Sequence, residues 1–312
     1  MIKTIQRHYL DTIPIVPRGR IMALGLFDGM HLGHMDIISK ATGLAEKAGI
    51  KCCVQTFAGF DKTGNGMLYT LEERISLIEE MGADEVLILN FPEIKDMTAE
   101  EYCEKILRMS AGSVGVVMGF DYSFGKGGAG DTEFMKRFCA DFDIGCRIVK
   151  ERDFEDTGKK CSTTWLKELL ENGDVATASK MCGDRNYFYS GTVSQGKQLG
   201  RKLGFPTANI IIPKEKFVVR RGVYVAKVTL GHSTLYGVAN VGRRPTVEND
   251  TRDIVETFIF DFDEDIYGAK FKTELLEFLR PEQAFSGQEE LAFRVNADKE
   301  KARAYLKEKG FM

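Results

Sequence analysis

The first half of the chain alternates short apolar runs with segments of helical periodicity. Runs of about four to eight apolar residues indicate buried strands, whereas apolar residues at every third or fourth position indicate helices. The pattern predicts strands at 20–26, 51–57, 85–89, 114–119 and 145–149. It predicts helices at 31–49, 71–82, 98–109 and 132–142, the third beginning with a Thr-Ala-Glu-Glu capping sequence. This alternation is typical of a parallel sheet flanked by helices, which binds ligands at the carboxyl ends of its strands.

The second half changes character and becomes rich in short β-strand patterns. Gly, Pro and Asp separate predicted strands at 187–194, 222–229, 234–240 and 254–260. Regularly spaced strands of this kind indicate a small closed or sandwiched β structure. Two helical stretches, 164–171 and 174–181, precede it, and an amphipathic helical tail at 287–309 follows. We therefore predict two domains, 1–184 and 185–312.

Residues 191–209 form the most distinctive motif of the chain and read GTVSQGKQLGRKLGFPTAN. Glycines let a backbone approach a ligand closely, and the interspersed Lys197, Arg201 and Lys202 supply counter-charge. Thr207 and Asn209 offer uncharged oxygens that suit a hard cation such as Mg²⁺. The combination is what a nucleoside triphosphate requires. It is not a P-loop, because Gln198 stands where that motif needs Ser or Thr.

The first predicted strand-to-helix turn, 25–34, reads GLFDGMHLGH and is the second candidate site. His31 and His34 share one face at the start of a helix, where backbone N–H groups favour negative charge. Gly33 leaves room for a phosphate between them. Two imidazole donors there can hold a triphosphate and stabilise charge that develops on it. By contrast, the Gly-x-Gly-x-x-Gly sequence at 125–130 begins six residues beyond its strand, and we interpret it as a chance match.

Composition narrows the classes of function. The net charge of −3 argues against a general nucleic-acid binder, although basic residues outnumber acidic ones from Arg185 onward. Neither a membrane-spanning run nor the apolar segment of a signal peptide is evident, and the seven cysteines contain no C-x-x-C pair. We expect a cytoplasmic protein with reduced thiols that acts on small molecules rather than on nucleic acid or membranes. Its oligomeric state stays open.

Both motifs on one chain, in this order, resemble the bifunctional riboflavin kinase/FAD synthetase family of bacteria. The His-x-Gly-His turn is similar to that of the nucleotidyltransferase superfamily, and residues 191–209 are similar to the signature of bacterial riboflavin kinases. The resemblance covers essentially the whole chain. Further matching segments are GFDYSFG at 119–125, GVANVGRRPT at 237–246, Val255-Glu256, Tyr267-Gly268 and FLRP at 278–281.

The resemblance implies a fold and two reactions. The fold is a Rossmann-like nucleotidyltransferase domain with a parallel sheet and helices, followed by a small β-barrel kinase domain with a C-terminal helix. The kinase domain would use ATP to phosphorylate the 5′-hydroxyl of riboflavin and give FMN. The first domain would transfer the adenylyl group of a second ATP to FMN, giving FAD and pyrophosphate. ATP would serve both reactions, and Mg²⁺ would be the metal cofactor.

The resemblance also implies roles for individual residues. Glu256 would accept the hydroxyl proton, and His31 and His34 would act in adenylyl transfer. Thr207 and Asn209 would bind Mg²⁺ and phosphates. The remaining residues expected to bind nucleotide or flavin are Gly25, Phe27, Asp28, Gly33, Asp121, Phe124, Ser162, Thr164, Lys167, Gly191, Gly196, Lys197, Gly200, Arg201, Gly204, Pro206 and Arg280.

The first half departs from the family pattern at several positions. Lys167 stands where the family has an arginine. Lysine keeps the positive charge but cannot bind phosphate in the planar bidentate manner of arginine. Leu26 and Ser123 stand where Asn and Arg are expected, and 56–61 lacks a Pro-His-Pro-like segment. Two alternatives therefore stay open. One is a riboflavin kinase with a degenerate or re-purposed first domain; the other is a flavin-binding regulator without catalysis.

Overall fold

The computed structural model describes residues 2–7, 19–58, 64–194, 207–245 and 251–312. The chain divides into two compact units, Met1–Thr163 and Thr164–Met312. Within the described ranges, no helix combines the length and the apolar character that crossing a bilayer requires.

The first unit contains a parallel sheet with helices in its connections. Its strands in chain order are β1 (Lys3–Arg7), β2 (Arg20–Leu24), β3 (Lys51–Ala58), β4 (Glu85–Asn90), β5 (Ser113–Gly119) and β6 (Gly145–Val149). The helices are α1 (Leu32–Ala48), α2 (Leu71–Glu80), α3 (Phe91–Ile94), α4 (Ala99–Glu101) and α5 (Thr132–Asp141). A small hairpin, β7 (Asp153–Phe154) and β8 (Lys159–Lys160), follows β6.

Across the described part of this sheet the strand order is β1-β4-β3-β2-β5-β6, and every pairing is parallel. The order reverses direction at β2, so the loops after β2 and β5 leave the same edge of the sheet on either side of a crevice. A buried core packs against one face, with Met22, Leu87, Tyr102 and Met118 among its members. This topology places the turn after β2 where a ligand is expected.

Local sequence explains where these helices begin. Thr70 and Glu73 form a capping box at the start of α2, and Thr98 and Glu101 form the predicted one at the start of α4. Beyond α4 the helix widens into a π-helical segment over Tyr102–Ser110, which the periodicity did not predict. A π segment turns Tyr102 and its neighbours toward the sheet at a different spacing from an α-helix.

The second unit begins with two helices, α6 (Thr163–Asn172) and α7 (Val175–Met181), the first starting at the boundary residue. Its strands are β9 (Phe188–Thr192), β10 (Thr207–Ile211), β11 (Gly222–Leu230), β12 (Ser233–Pro245), β13 (Thr251–Ile259) and β14 (Lys270–Pro281). The C-terminal helix is α8 (Gln288–Glu308).

The six described strands of this unit pair antiparallel in the order β10-β13-β12-β11-β14-β9. An isolated β-bridge between Asn209 on β10 and Ser194, just after β9, links the first and last strands of this order. The sheet is therefore a nearly closed barrel. The buried interior includes Tyr224, Ala239 and Val255. On the outside, α8 packs Ala302 and Leu306 against the sheet.

The predicted fold class is confirmed in both halves. Strands β1, β10 and β14 were not predicted, because each mixes apolar with polar residues in no clear alternation. The predicted boundary at 184/185 lies after α6 and α7, whereas these helices pack with the second unit. The backbone N–H of Arg220 donates to the Leu170 carbonyl at 2.9 Å, and the Arg220 guanidinium donates to the Asn172 carbonyl at 3.1 Å.

Candidate active sites

The turn between β2 and α1 has an unusual backbone conformation. Phe27 and Met30 are fully buried and have φ values of 54° and 45°, a region that non-glycine residues seldom adopt. A Cβ at Gly25 would lie 2.8–3.0 Å from ring atoms of Phe27. The Phe27 ring therefore folds back over Gly25 and meets His34 edge-on, with 5.4 Å between ring centroids.

His31 and His34 form one unit at the N-terminus of α1. His31 caps the helix, and its Nδ1 accepts a hydrogen bond from the backbone N–H of His34 at 3.4 Å. The two rings stack with 3.8 Å between centroids. An Nδ1 that accepts a hydrogen bond carries no proton, so the ring proton of neutral His31 is on Nε2. Nδ1 of His34 is buried with no partner among the described residues, as expected of a group that awaits a ligand.

Burial keeps both imidazoles neutral. It lowers the pKa of His31 to about 4. The pKa of His34 lies well below its ordinary value, first because of burial and second because of repulsion from His31. Near neutral pH the turn therefore presents uncharged N–H donors at a helix N-terminus, which attracts phosphate through backbone N–H groups and the helix dipole.

Asp28 organises the neighbouring loop. This buried carboxylate accepts hydrogen bonds from the backbone N–H groups of Leu68, at 2.8 Å, and Tyr69, at 3.4 Å. It thereby fixes the segment that leads into α2. The structure gives Asp28 this supporting role, and its predicted contact with nucleotide stays a prediction.

Arg74 is a buried residue of this site that no sequence motif identified. Its guanidinium donates to the carbonyls of Leu26 and Phe57, at 3.1 and 3.0 Å, and to Oγ1 of Thr56 at 2.7 Å. Thr56 in turn donates to the Leu26 carbonyl at 2.8 Å. The network joins the carboxyl ends of β2 and β3, which is where the chain departs from the family pattern.

An aromatic cluster forms where Tyr122 and Phe124, which follow β5, meet Tyr102 of the π-helical segment. Phe124 is buried and lies 5.2 Å from the Tyr102 ring and 5.8 Å from the Tyr122 ring. The Tyr102 hydroxyl is 3.0 Å from that of Tyr122 and donates to Oε1 of Gln55. Within the described chain, Nε2 of Gln55 is buried without a hydrogen-bond partner. Asp121 lies on the exposed side of this turn, with Oδ1 3.1 Å from the position of a Cβ on Gly119.

Two glycines near Phe124 have structural explanations. A Cβ at Gly130 would lie 2.5 Å from the Phe124 ring, and one at Gly125 would lie 2.8 Å from the backbone nitrogen of Ala99. Gly125 and Gly130 thus allow close packing in and around this turn, a structural role that the sequence analysis did not predict.

The residues predicted at the start of α6 fall on both sides of the unit boundary. Ser162 belongs to the first unit, whereas Thr164 and Lys167 belong to the second. Lys167 is 6% exposed, and its Nζ lies 5.4 Å from the centroid of the Phe217 ring. A cation–π contact with Phe217 therefore stabilises part of the charge of this lysine.

The register of the barrel brings together the candidate kinase residues. Asn209 on β10 pairs directly with Glu256 on β13, and Glu256 pairs with Asn240 on β12. Directly paired residues of antiparallel strands point to the same face. The three side chains therefore form one row across the outside of the barrel. Asn240, in the segment 237–246, was part of the resemblance but was not selected as a site residue.

Asn209 fits the predicted cation site. It is 4% exposed, and its Oδ1 has no hydrogen-bond partner in the parts of the chain that the structure describes. Its Nδ2 donates to the Thr207 carbonyl at 3.1 Å, which turns Oδ1 away from that strand neighbour. Amide and hydroxyl oxygens of Asn209 and Thr207 are ligands that Mg²⁺ accepts. The Asn209 carbonyl also accepts from the backbone N–H of Ser194 at 2.9 Å, so both ends of the glycine-rich segment meet at this residue.

Gly191 and Arg280 have defined surroundings in the second unit. A Cβ at Gly191 would lie 2.8 Å from Cγ2 of Ile210, so glycine lets β9 approach β10. Arg280 on β14 forms a bidentate ion pair with Asp298 of α8, with its closest contact at 2.8 Å. Arg280 thus holds the C-terminal helix. The other predicted residues of the glycine-rich segment, Gly196, Lys197, Gly200, Arg201, Gly204 and Pro206, lie outside the described residues.

Two family models match this chain in tandem. The model described as FAD synthetase matches residues 14–165, and the model described as riboflavin kinase matches residues 183–306. A Bacillus subtilis protein named bifunctional riboflavin kinase/FMN adenylyltransferase is 33% identical over 298 residues, which cover 92% of each chain. This chain belongs to the bifunctional riboflavin kinase/FMN adenylyltransferase family.

Other relatives extend the match over almost the full length. A bifunctional riboflavin kinase/FMN adenylyltransferase of Escherichia coli is 30% identical over 308 residues, which cover 96% of each chain. A solved Streptococcus pneumoniae structure, described as a macrolide-efflux protein, has a TM-score of 0.83 and 28% identity. The superposition covers 97% of this chain and 99% of the Streptococcus pneumoniae chain. The family predicted from the two motifs is confirmed.

Proposed function

We propose that this bifunctional enzyme makes FAD from riboflavin in two steps. The second unit transfers the γ-phosphoryl group of ATP to riboflavin and gives FMN. The first unit transfers the adenylyl group of ATP to FMN and releases pyrophosphate. The observation that carries the proposal is the direct pairing of Asn209 with Glu256 in a chain that matches both family models in tandem.

Phosphorylation of riboflavin requires a proton acceptor beside an in-line phosphoryl group. The 5′-oxygen of riboflavin attacks the γ-phosphorus, the bond to the β–γ bridging oxygen breaks, and ADP leaves. Glu256 accepts the hydroxyl proton, because it pairs across the strands with Asn209, which would hold the phosphates through Mg²⁺. Thr207 and Asn209 would hold Mg²⁺, which neutralises phosphate charge when bound.

Adenylyl transfer requires charge stabilisation more than proton transfer. A phosphate oxygen of FMN attacks the α-phosphorus of ATP, and the bond to the α–β bridging oxygen breaks. His31, His34 and the backbone N–H groups of the first turn of α1 donate hydrogen bonds to the phosphates. Because burial holds both imidazoles neutral, each can donate one ring N–H to a phosphate oxygen without itself carrying a positive charge.

The aromatic cluster beside this turn suits a flavin ring. Phe124 and Tyr122 supply apolar faces for the isoalloxazine, and the buried Nε2 of Gln55 supplies a donor for a ring oxygen or nitrogen. The predicted nucleotide contacts of Asp121 and Ser162 belong to the same proposal, and those of Thr164 and Lys167 stay predictions. We further propose that the enzyme acts in the cytoplasm on these small molecules, which cell fractionation tests.

Chromatography of the products tests both reactions separately. Purified protein with riboflavin, ATP and Mg²⁺ should form FMN and then FAD, and protein with FMN and ATP should form FAD and pyrophosphate. Recovery of unchanged riboflavin would refute the kinase. FMN without FAD would instead favour the alternative of a kinase with a re-purposed first unit, and flavin binding without turnover would favour a regulator.

A further inference from the structure

Arg152 lies beside the His-x-Gly-His turn, although no motif drew attention to it. It follows β6 by three residues, and its Cβ lies 3.8 Å from the position that a Cβ on Gly33 would occupy. Its carbonyl accepts a hydrogen bond from the backbone N–H of Cys161 at 2.8 Å, where the β7–β8 hairpin closes. Arg152 thus projects from a fixed backbone position alongside the one residue of the helix start that has no side chain.

The Arg152 guanidinium is held near the turn by a weak ion pair. NH1 lies 3.5 Å from Oδ2 of Asp36, and the two side chains are 52% and 39% exposed. An exposed pair of this kind contributes roughly 0–1 kcal/mol. Asp36 lies three residues after Gly33, on the same face of α1. The pair therefore keeps the guanidinium within reach of the helix start. The guanidinium can leave the Asp36 carboxylate for a stronger anion at a small cost in free energy.

The turn itself supplies donors but no full positive charge. Burial keeps His31 and His34 neutral, and the first turn of α1 reads Leu-Gly-His-Met. Lys167, the residue that replaces the expected arginine, is buried over Phe217. A pyrophosphate leaving group acquires negative charge as its bond to the α-phosphorus breaks. A guanidinium is well matched to that charge, because its planar fork binds two phosphate oxygens at once.

We propose that Arg152 binds the β- and γ-phosphates of ATP during adenylyl transfer and stabilises the departing pyrophosphate. In the absence of nucleotide, Asp36 holds the guanidinium beside Gly33. On binding, the guanidinium exchanges Asp36 for phosphate oxygens, while His31 and His34 hold the turn-side oxygens. This assignment rests on the proposed adenylyl transfer and adds to it a residue that contacts the leaving group.

Four variants of the full-length enzyme test the assignment: Arg152→Gln, Arg152→Lys, Asp36→Asn and, as a matched control, Arg147→Gln. Arg147 is an exposed arginine on β6, whose guanidinium donates to the adjacent Cys146 carbonyl. Initial rates of FAD formation from FMN and ATP are measured, and so is the reverse reaction of FAD with pyrophosphate. Riboflavin phosphorylation is followed in the same preparations.

Arg152→Gln should lower kcat/KM for ATP in FAD formation and raise KM for pyrophosphate in the reverse reaction, each by roughly 10- to 100-fold. KM for FMN, KM for FAD and riboflavin phosphorylation should not change. For Arg152→Lys, kcat/KM for ATP and KM for pyrophosphate should lie between the values of the wild type and those of Arg152→Gln. Asp36→Asn should lower KM for ATP by at most about fivefold, because it removes the anion that competes with the phosphates for Arg152 in an ion pair worth roughly 0–1 kcal/mol.

The assignment is wrong if Arg152→Gln behaves like Arg147→Gln. It is also wrong if Arg152→Gln raises KM for FMN and pyrophosphate equally, or if Arg152→Lys is as impaired as Arg152→Gln while its unfolding temperature falls, since each result indicates a structural role. Failure of the wild type to form FAD would refute adenylyl transfer itself. These outcomes keep the two proposals apart.

Discussion

Asn209 and Glu256 face each other across neighbouring antiparallel strands, on the outer side of the barrel. The amide oxygen of Asn209 is buried and lacks a partner among the described residues, and the carboxylate of Glu256 lies one strand away. The proposed cation ligand and the proposed proton acceptor are thereby held one β-sheet spacing apart, about 5 Å between Cα atoms. We therefore expect mutations at these two positions to affect kinase chemistry and to leave adenylyl transfer unchanged.

Replacement of Glu256 with Gln should abolish the proton acceptor and preserve the side-chain shape. We expect FMN formation from riboflavin to fall by about 10²- to 10⁴-fold, as for the loss of a general base. FAD formation from supplied FMN should be unchanged. Glu264→Gln, at an exposed position in the same unit, serves as the control. Normal FMN formation by Glu256→Gln, measured by chromatography, would exclude this residue as the base.

Removal of the Asn209 amide should weaken metal binding. Asn209→Ala is expected to raise the Mg²⁺ concentration for half-maximal FMN formation by roughly tenfold, equivalent to about 1.4 kcal/mol. Asn209→Asp keeps an oxygen ligand and should retain more activity. Asn296→Ala, an exposed asparagine on α8, controls for surface effects. An unchanged Mg²⁺ dependence in Asn209→Ala would contradict the cation site.

A methyl group at Gly25 should collide with the Phe27 ring and distort the His-x-Gly-His turn. Gly25→Ala is expected to destabilise the region by about 1–3 kcal/mol through overpacking and to slow FAD formation but not FMN formation. Gly43→Ala, in the middle of α1 with nothing within 4 Å, should instead stabilise by about 0.5–1 kcal/mol. Hydrogen–deuterium exchange of peptides from 20–58 measures both effects. Equal exchange in the two variants would contradict the packing described.

The neutral His31 should make stability depend on pH below neutrality. Its pKa is about 4 in the folded chain and 6.5 ordinarily, so between these values the unfolded chain binds the extra proton. Stability is therefore complete above pH 6.5 and falls as the pH drops toward 4, by a total of about 3 kcal/mol. The thermal unfolding midpoint of His31→Gln should change less between pH 7 and pH 5 than that of the wild type. Exposed His232→Gln is the control, and an equal pH dependence in both variants would disprove the prediction.

Much of the fold and part of each site followed from local sequence. Apolar periodicity identified the strands and helices around His31 and His34, and the capping sequence at Thr98 was formed as expected. The aromatic environment of Phe124 and the buried guanidinium of Arg74 did not follow. Tyr102, Gln55 and Arg74 come from separate elements, and their polar atoms meet only when the strands are placed side by side. The pattern of residues along one segment therefore does not predict hydrogen bonds between segments that are distant in sequence.

The sequence by itself determined the βα alternation of the first half, the β-rich second half, the family, and the two motifs proposed to carry out its chemistry. Those features depend on spacing along the chain, which hydrophobic burial and backbone conformation translate directly into local structure. Only the tertiary structure decided that Glu256 faces Asn209, that Arg280 pairs with Asp298, and that Arg152 lies beside Gly33. Strand register and loop closure set those contacts, and both depend on how distant segments pack against one another.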